Sequence, residues 1–537
     1  MAGLRGDPNG PRMCAVTADP DTCHEEDNPM ASRKRKSKAT KKKATKRKAK
    51  KAPARRKRAT SRARVRPQGL EPDPVGTASQ DADELGVQTT GRMIVTFLDP
   101  SRSGVRSALA SMRSRAGVSQ VSHARDFATA EFSMEEAQSA DALVFDELGM
   151  AVVDTPPDRA PAMAALSVSG IGAASDSNVV VEPEYVNFAF DLDDDVGAGG
   201  APPEALPSTA GEGAGWTTDY LRGYRDALDQ LLRMGGGGSG AAAAGEAVAA
   251  ATFQDTASST WGLKATRVLA SQRSGRGIKV AVLDTGFDRN HPDFAGRTVQ
   301  TSSFIPGETV QDGNGHGTHC IGTSCGPEQP GLGPRYGIAF NARIFAGKVL
   351  SNAGSGGDSS ILAGINWALQ NRCEVISMSL GRRVRQGERP QTNYETAGRR
   401  ALRAGTLIVA AAGNDSHRPF VTVPVSSPAN AASIAAVAAL DRFLQVARFS
   451  NRGINPSGGE INLAGPGVDV HSSWPMPIRL RSISGTSMAT PHVAGCAALV
   501  AEESSAFRGL ALYRELRRRA RALPLPRADV GNGLVQV

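Results

Sequence analysis

Ser484-Gly485-Thr486-Ser487-Met488-Ala489-Thr490-Pro491-His492-Val493-Ala494-Gly495 places a hydroxyl at the end of a Gly-Thr turn, and a run of small and apolar residues follows it. The pattern predicts a helix beginning near Met488, with Ala, Val and Gly on its packed face and Ser487 at its N-terminus. The first N–H groups of such a helix have no partner inside it. With the positive end of the dipole, they favour an oxyanion beside the serine. Taken alone, a serine there is an ordinary N-cap. Two other stretches change that reading. Lys279-Val280-Ala281-Val282-Leu283-Asp284-Thr285-Gly286 is a continuous apolar run ending in a carboxylate and a glycine turn. It reads as a strand buried on both faces of a parallel sheet, with Asp284 at the C-terminal end, where open α/β sheets keep their sites. Gly313-Asn314-Gly315-His316-Gly317-Thr318-His319 sets His316 between glycines that let the backbone approach whatever the imidazole serves.

A carboxylate, an imidazole and a hydroxyl are the groups of nucleophilic acyl transfer. Their chain order, Asp then His then Ser, with these flanking residues, resembles the subtilisin-like serine protease family. The resemblance runs from Thr260-Trp261-Gly262-Leu263 to the C-terminus. It implies an endopeptidase acting on proteins and peptides: Ser487 attacks the scissile carbonyl, His316 takes its proton and returns it to the leaving amine, and Asp284 fixes the imidazole tautomer. Val409 to Asp415 is an apolar strand ending at a glycine, and the resemblance places Asn414 in the oxyanion hole beside the Ser487 N–H. Ser379, Leu380, Gly381 and Gly413 are the implied substrate-binding residues, Gly381 leaving room for the P1 side chain and the strand around it pairing with an extended peptide. Asp415 would bias the rim towards a basic or polar P1 residue. His319 and His492 are the alternative bases, each better read as a packing or hydrogen-bonding histidine. Cys320, one helical turn after His316, is expected beneath the site. The chemistry needs no cofactor. Members of the family commonly hold structural calcium, and Asp293 matches a position that often ligates it, although the loop 326–333 departs from the usual Asn-rich site.

The fold class is α/β. Strand-like runs at 279–283, 344–350, 375–380, 407–412 and 434–440 alternate with helical stretches at 357–371 and 394–404, which implies a parallel sheet covered by helices on both faces within residues 257–537. Residues 91–190 predict a small α+β domain: a strand at 93–98, a helix through 108–116, a strand at 149–154, a short helix at 161–166 and a strand at 179–185. In this position the domain resembles the inhibitor-type propeptide of the family, with Val181-Glu182-Pro183-Glu184 resembling the end of its last strand; an unrelated small domain is the alternative. The propeptide resemblance implies a zymogen cut by its own Ser487, somewhere between Phe190 and Thr260. Residues 191–256 read as a linker, Gly-rich at 235–240, with an amphipathic helix at 217–234 carrying Leu221, Tyr224, Leu228 and Leu231 on one face.

Charge is concentrated. Between Arg33 and Arg66 stand 20 Lys and Arg with no Asp or Glu, so the overall +10 of the 537-residue chain leaves −10 for everything else. Residues 1–90, without one aromatic, cannot bury enough apolar surface to offset ordering and are expected to be disordered. Such a tail either binds a polyanion such as nucleic acid through counterion release or stays solvated without a partner, and it offers no stacking platform. The six cysteines do not form a disulfide framework, and Cys14 with Cys23-His24 fits no common zinc spacing. No apolar signal core and no membrane-length apolar run occurs. An intracellular location is therefore favoured over a secreted one, with Met1 or Met30 as the start.

Overall fold

Strand residues point alternately to opposite faces, so a strand that is apolar at every position must be covered twice. Met150-Ala151-Val152-Val153 is such a strand, and the computed structural model shows what covers it. The structure describes residues 87–127, 140–167, 178–190 and 253–537; residues 1–86 of the basic tail and the linker helix expected at 217–234 lie outside them.

Among the described residues, five strands form in the N-terminal part: β1 (Thr89–Phe97), β2 (Val121–His123), β3 (Ala142–Phe145), β4 (Met150–Val153) and β5 (Val179–Ala189). They lie in the order β5-β1-β4-β3-β2, antiparallel except for β2 with β3. The helices Arg102–Ala116 and Ala160–Ala164 cover one face, packing Leu109, Met112 and Met163 against Val95, Val144, Ala151 and Val153. The opposite face, with Ile94, Leu143, Phe145, Met150 and Val152, is buried in one cluster with Ile365 and Tyr394 of the C-terminal part.

The C-terminal part contributes β6 (Lys279–Asp284), β7 (Val299–Ser303), β8 (Arg343–Lys348), β9 (Ser355–Gly357), β10 (Val375–Met378), β11 (Leu380–Gly381), β12 (Leu407–Ala411), β13 (Ala435–Leu440) and β14 (Leu463–Pro466), followed by the hairpin β15 (Val470–Ser473) and β16 (Leu480–Ile483). Seven of them make an all-parallel sheet, β14-β13-β12-β10-β6-β8-β7. Val280, Val282, Val409 and Val437 face the helices His316–Cys325 and Thr486–Glu503. Ala281, Leu283, Ile376 and Ile408 face the helices Asp358–Gln370 and Thr392–Ala404. Both faces of the sheet are thus covered by helices. The Thr486–Glu503 helix begins two residues earlier than the apolar run suggests, so Ser487 lies inside its first turn. No helix among the described residues is long and apolar enough to cross a membrane.

β5 joins the two parts. Its first half pairs with β1, and its second half runs antiparallel between β9 (Val186↔Gly357, Phe188↔Ser355) and β11 (Ala189↔Leu380, Phe188↔Gly381). Those two partners extend it past the expected end at Tyr185. The helices Asp358–Gln370 and Thr392–Ala404 lack side-chain caps of their own, and β5 supplies carboxylates to both N-termini. Glu182 accepts from the N–H groups of Thr392 (2.7 Å) and Asn393 (3.0 Å), and Glu184 accepts from that of Ser359 (2.8 Å). Anionic oxygens there satisfy orphan donors and oppose the helix dipole.

Candidate active site

β6 delivers Asp284 to the C-terminal edge of the sheet, and the first turn of the next long helix delivers His316 to it. His316 Nδ1 lies 2.7 Å from Asp284 Oδ1, both side chains essentially inaccessible to solvent. Asp312 organises the approach. Its Oδ1 accepts from the N–H groups of Asn314 (3.0 Å) and Gly315 (2.8 Å), and its Oδ2 from the Thr318 N–H (2.9 Å) and hydroxyl (2.7 Å). Thr285 ties the two motifs together, its hydroxyl donating to Asp312 Oδ1 (3.0 Å) and accepting from the Gly317 N–H (2.8 Å). Burial opposes protonation of His316, but the charge of Asp284 and its hydrogen bond outweigh burial and raise the imidazole pKa well above its ordinary value. His316 Nε2 is buried and has no hydrogen-bond partner.

Ser487 sits in the first turn of its helix, and its hydroxyl donates to the Ser379 carbonyl (3.1 Å) rather than to His316. Pro491, four residues on, has no N–H to give back to the Ser487 carbonyl. The Ser379 hydroxyl (2.8 Å) and the Cys320 thiol (3.6 Å) donate to that carbonyl instead. Cys320 Sγ is also 4.0 Å from His316 Nδ1, and burial pushes its pKa up to about 11, so the thiol is neutral.

The end of β5 enters this site. The Phe190 carbonyl accepts from Asn414 Nδ2 (3.1 Å), and the Phe190 N–H donates to the Ser379 carbonyl (3.4 Å). Asn414 has no choice of orientation, because its Oδ1 already accepts from the Thr486 N–H (2.9 Å) and hydroxyl (2.8 Å). Gly485 is required by proximity: a Cβ there would lie 2.6 Å from the Phe190 oxygen. The Phe190 ring rests against Gly381, where a Cβ would stand 2.9 Å from it. The Ser487 N–H, expected as a second oxyanion donor, makes no hydrogen bond to the Phe190 carbonyl.

Residues 275–533 match the Subtilase family. Subtilisin Savinase from Lederbergia lenta is 38% identical over 282 residues, 52% of this chain and 97% of that protein. Subtilisin DY from Bacillus licheniformis is 40% identical over 240 residues, 44% of this chain and 81% of that protein. Among solved structures, Sphericase matches with a TM-score of 0.46 and 33% identity, over 52% of this chain and 97% of that one. The chain belongs to the subtilase family. It is a subtilisin-like serine endopeptidase.

Other residues singled out in this subtilase have other surroundings. His319 Nε2 donates to the Val470 carbonyl (2.9 Å) and His492 Nδ1 to that of Met488 (2.8 Å). Burial lowers their pKa values to about 3 and about 4, so both rings are held neutral. Gly413 has a φ of 105° and packs against Asn451 and Ser426, in the loop that carries Asn414. The Asp415 carboxylate accepts from Asn451 Nδ2 (2.9 Å). The surroundings of Asp293 do not fit calcium, which takes six to eight oxygen ligands. Asp293 Oδ1 accepts from Arg479 Nη2 (2.9 Å) and the Gly331 N–H (3.1 Å), and Oδ2 from the Tyr336 hydroxyl (2.7 Å). A guanidinium supplies the positive charge that a cation would have brought.

The parts played by Asp312 and Thr285 were not anticipated from the sequence, and Phe190 entered only as the near bound of the range in which a cut was expected. For Asp312 a signal exists, a carboxylate four residues before the helix that starts at His316, which is the composition of a capping turn. For Phe190 no local pattern exists, since its seat is built by β9, β11, Asn414 and Gly485.

Proposed function

We propose that Ser487, His316 and Asp284 hydrolyse peptide bonds through an acyl-enzyme, and that residues 87–190 are an inhibitory prosegment whose first cut falls between Phe190 and Asp191. The observation that carries this reading is the Phe190 carbonyl held by Asn414 Nδ2 beside Ser487. In the reaction, the Ser487 hydroxyl turns from the Ser379 carbonyl to His316 Nε2, gives up its proton there and bonds to the Phe190 carbonyl carbon. The carbonyl π electrons move onto the oxygen facing Asn414, whose amide strengthens its hydrogen bond as the charge grows. Collapse expels the Asp191 amine, which takes the proton from His316. A water molecule then repeats the sequence on the acyl-serine and frees the Phe190 carboxylate. Throughout, Asp284 keeps Nδ1 protonated and stabilises the imidazolium. The test is labelling of the processed protein by a fluorophosphonate: Ser487 is the expected site, Ser487→Ala abolishes labelling, and persistent labelling in that variant would move the nucleophile elsewhere.

For the basic tail we propose polyanion binding, supported by 20 cationic residues between Arg33 and Arg66. About ten engaged phosphates correspond to a log–log salt slope near −9. A flat salt response on DNA or heparin would refute it.

A further inference from the structure

Residues 186–190, the last of β5 and Phe190, lie in the cleft as a bound peptide, and among them one side chain is fully buried. Phe188 is 41% exposed, whereas Asn187 beside it is wholly inaccessible. Counting from Phe190 as P1, Asn187 is P4. Its Nδ2 donates to Asp358 Oδ1 (2.7 Å), and Asp358 is itself completely buried. Three further donors reach the same carboxylate: the Tyr394 hydroxyl on Oδ1 (2.7 Å), and the Tyr185 N–H (2.9 Å) and Gln391 Nε2 (3.1 Å) on Oδ2. The Gln391 amide is fixed in that sense because its Oε1 accepts from the Ser427 hydroxyl (2.9 Å).

Burial pushes the Asp358 pKa up and these four hydrogen bonds pull against it; as a carboxylate it offers about four lone-pair sites and no donor, so the four bonds use its full capacity. Two of the donors, Tyr394 and Gln391, belong to the peptidase part, and two arrive with the bound strand. The Tyr185 N–H is a main-chain group that any residue except proline supplies. The Asn187 amide is a side-chain group, and it is the donor that depends on sequence. Arg382, the nearby guanidinium, does not substitute for it, because it pairs with Glu388 at 2.7 Å and lies over the Tyr185 ring.

We propose that Asp358 makes this cleft select a side-chain amide at P4, so that the enzyme cleaves after sequences of the form Asn-Xaa-Xaa-Phe in preference to those with an apolar residue at the first position. The proposal rests on the peptidase reading above, with Phe190 as the residue whose carbonyl is attacked. An apolar P4 side chain leaves a buried anionic oxygen one donor short, and an acidic one sets a like charge against it. A lysine brings a donor, but its chain is longer than that of Asn187, which is already wholly buried. A site built around a hydrogen bond discriminates strongly against an analogue that lacks the group.

The experiment uses the full-length protein after it has processed itself, with fluorogenic peptides that share Phe at P1 and differ only at P4: Asn, Leu, Asp and Lys. The expected kcat/KM for Asn exceeds that for Leu by about tenfold or more, with Asp lowest and Lys no better than Leu. Asp358→Leu reverses the order of Asn and Leu. Equal or faster cleavage of the Leu peptide by the wild-type enzyme overturns the proposal and leaves the peptidase reading intact, as does Lys matching Asn, which would make the subsite a general cation trap. Cleavage of none of the four peptides would overturn the peptidase reading and this proposal with it. The wild-type comparison decides even if the Asp358 variant fails to fold.

Discussion

Glu182→Ala is the substitution that weighs the hold of the N-terminal sheet, the prosegment proposed above, on the peptidase part. The Glu182 carboxylate bonds to the Thr392 and Asn393 N–H groups, both across the junction, so its removal leaves contacts within the N-terminal sheet in place. Two hydrogen bonds to a carboxylate contribute roughly 1.5–3 kcal/mol each, net of the bonds to water they replace, and the helix-dipole interaction adds about 0.3–1 kcal/mol. Burial of the Glu182 carboxylate opposes its charge and raises its pKa, which offsets a large part of this. The net loss is then about 2–3 kcal/mol, equivalent to binding weakened by roughly 30- to 150-fold. Peptide hydrolysis followed over a dilution series of the processed protein reads this directly, since activity appears as the prosegment dissociates. Glu182→Gln, which keeps an acceptor but not the charge, is expected between wild type and Ala. A midpoint for Glu182→Ala within threefold of wild type would refute the argument that β5 acts as a helix cap.

Other outcomes follow from the same geometry. Asn414→Leu is expected to lower kcat by about 10²–10³-fold with little change in KM, the loss known for an oxyanion donor in a subtilisin; steady-state kinetics on one peptide checks it. Because Asp284 raises the His316 pKa above 6.5, the base is lost as pH falls through that raised value, so kcat/KM climbs into the alkaline range. The stability contribution of the pair has the opposite sign, being complete below the unfolded pKa of about 6.5 and lost as pH rises through the folded one. Asp284→Asn removes the raising charge and leaves burial dominant, so the acid limb of a pH–rate profile is expected to move to lower pH as the rate drops. At Asp293, Arg479→Ala removes the cationic partner of a buried carboxylate and is expected to cost about 1–3 kcal/mol of unfolding free energy, read by denaturant titration. A chelator is expected to leave the stability at this cluster unchanged, and a large chelator effect abolished by Asp293→Asn would contradict it.

What the sequence made legible depended on locality. Lys279 to Leu283, Val375 to Met378 and Leu407 to Ala411 are apolar at almost every position because both faces of a parallel sheet are buried, and that is visible in one window. Asp284, His316, Asn414 and Ser487 each stand at a glycine-marked turn at the end of an element, so each could be singled out by its own flanks. β7 is an edge strand of polar residues, Val299-Gln300-Thr301-Ser302-Ser303, with one neighbour and partial exposure, and it carries no apolar run to read. β14 is four residues ending in proline. The largest gap concerns pairings that span the chain. Nothing around Asp293 announces Arg479, 186 residues away, and nothing around Asn187 announces Asp358, 171 residues away. The uniformly apolar Met150–Val153 did contain the missing clue, since a sheet with two apolar faces requires a second cover and the enzyme's helices supply it.

The central claim is that this chain cuts itself with Ser487 at the carbonyl held by Asn414. Intact-mass measurement of the fragments formed during the first minutes of expression and purification tests it most directly, because the N-terminal fragment keeps the residue whose carbonyl was attacked. The account predicts a fragment ending at Phe190 in the wild type and only full-length chain for Ser487→Ala. A first fragment ending elsewhere, or the same fragment formed at the same rate by the Ser487→Ala protein, would contradict it.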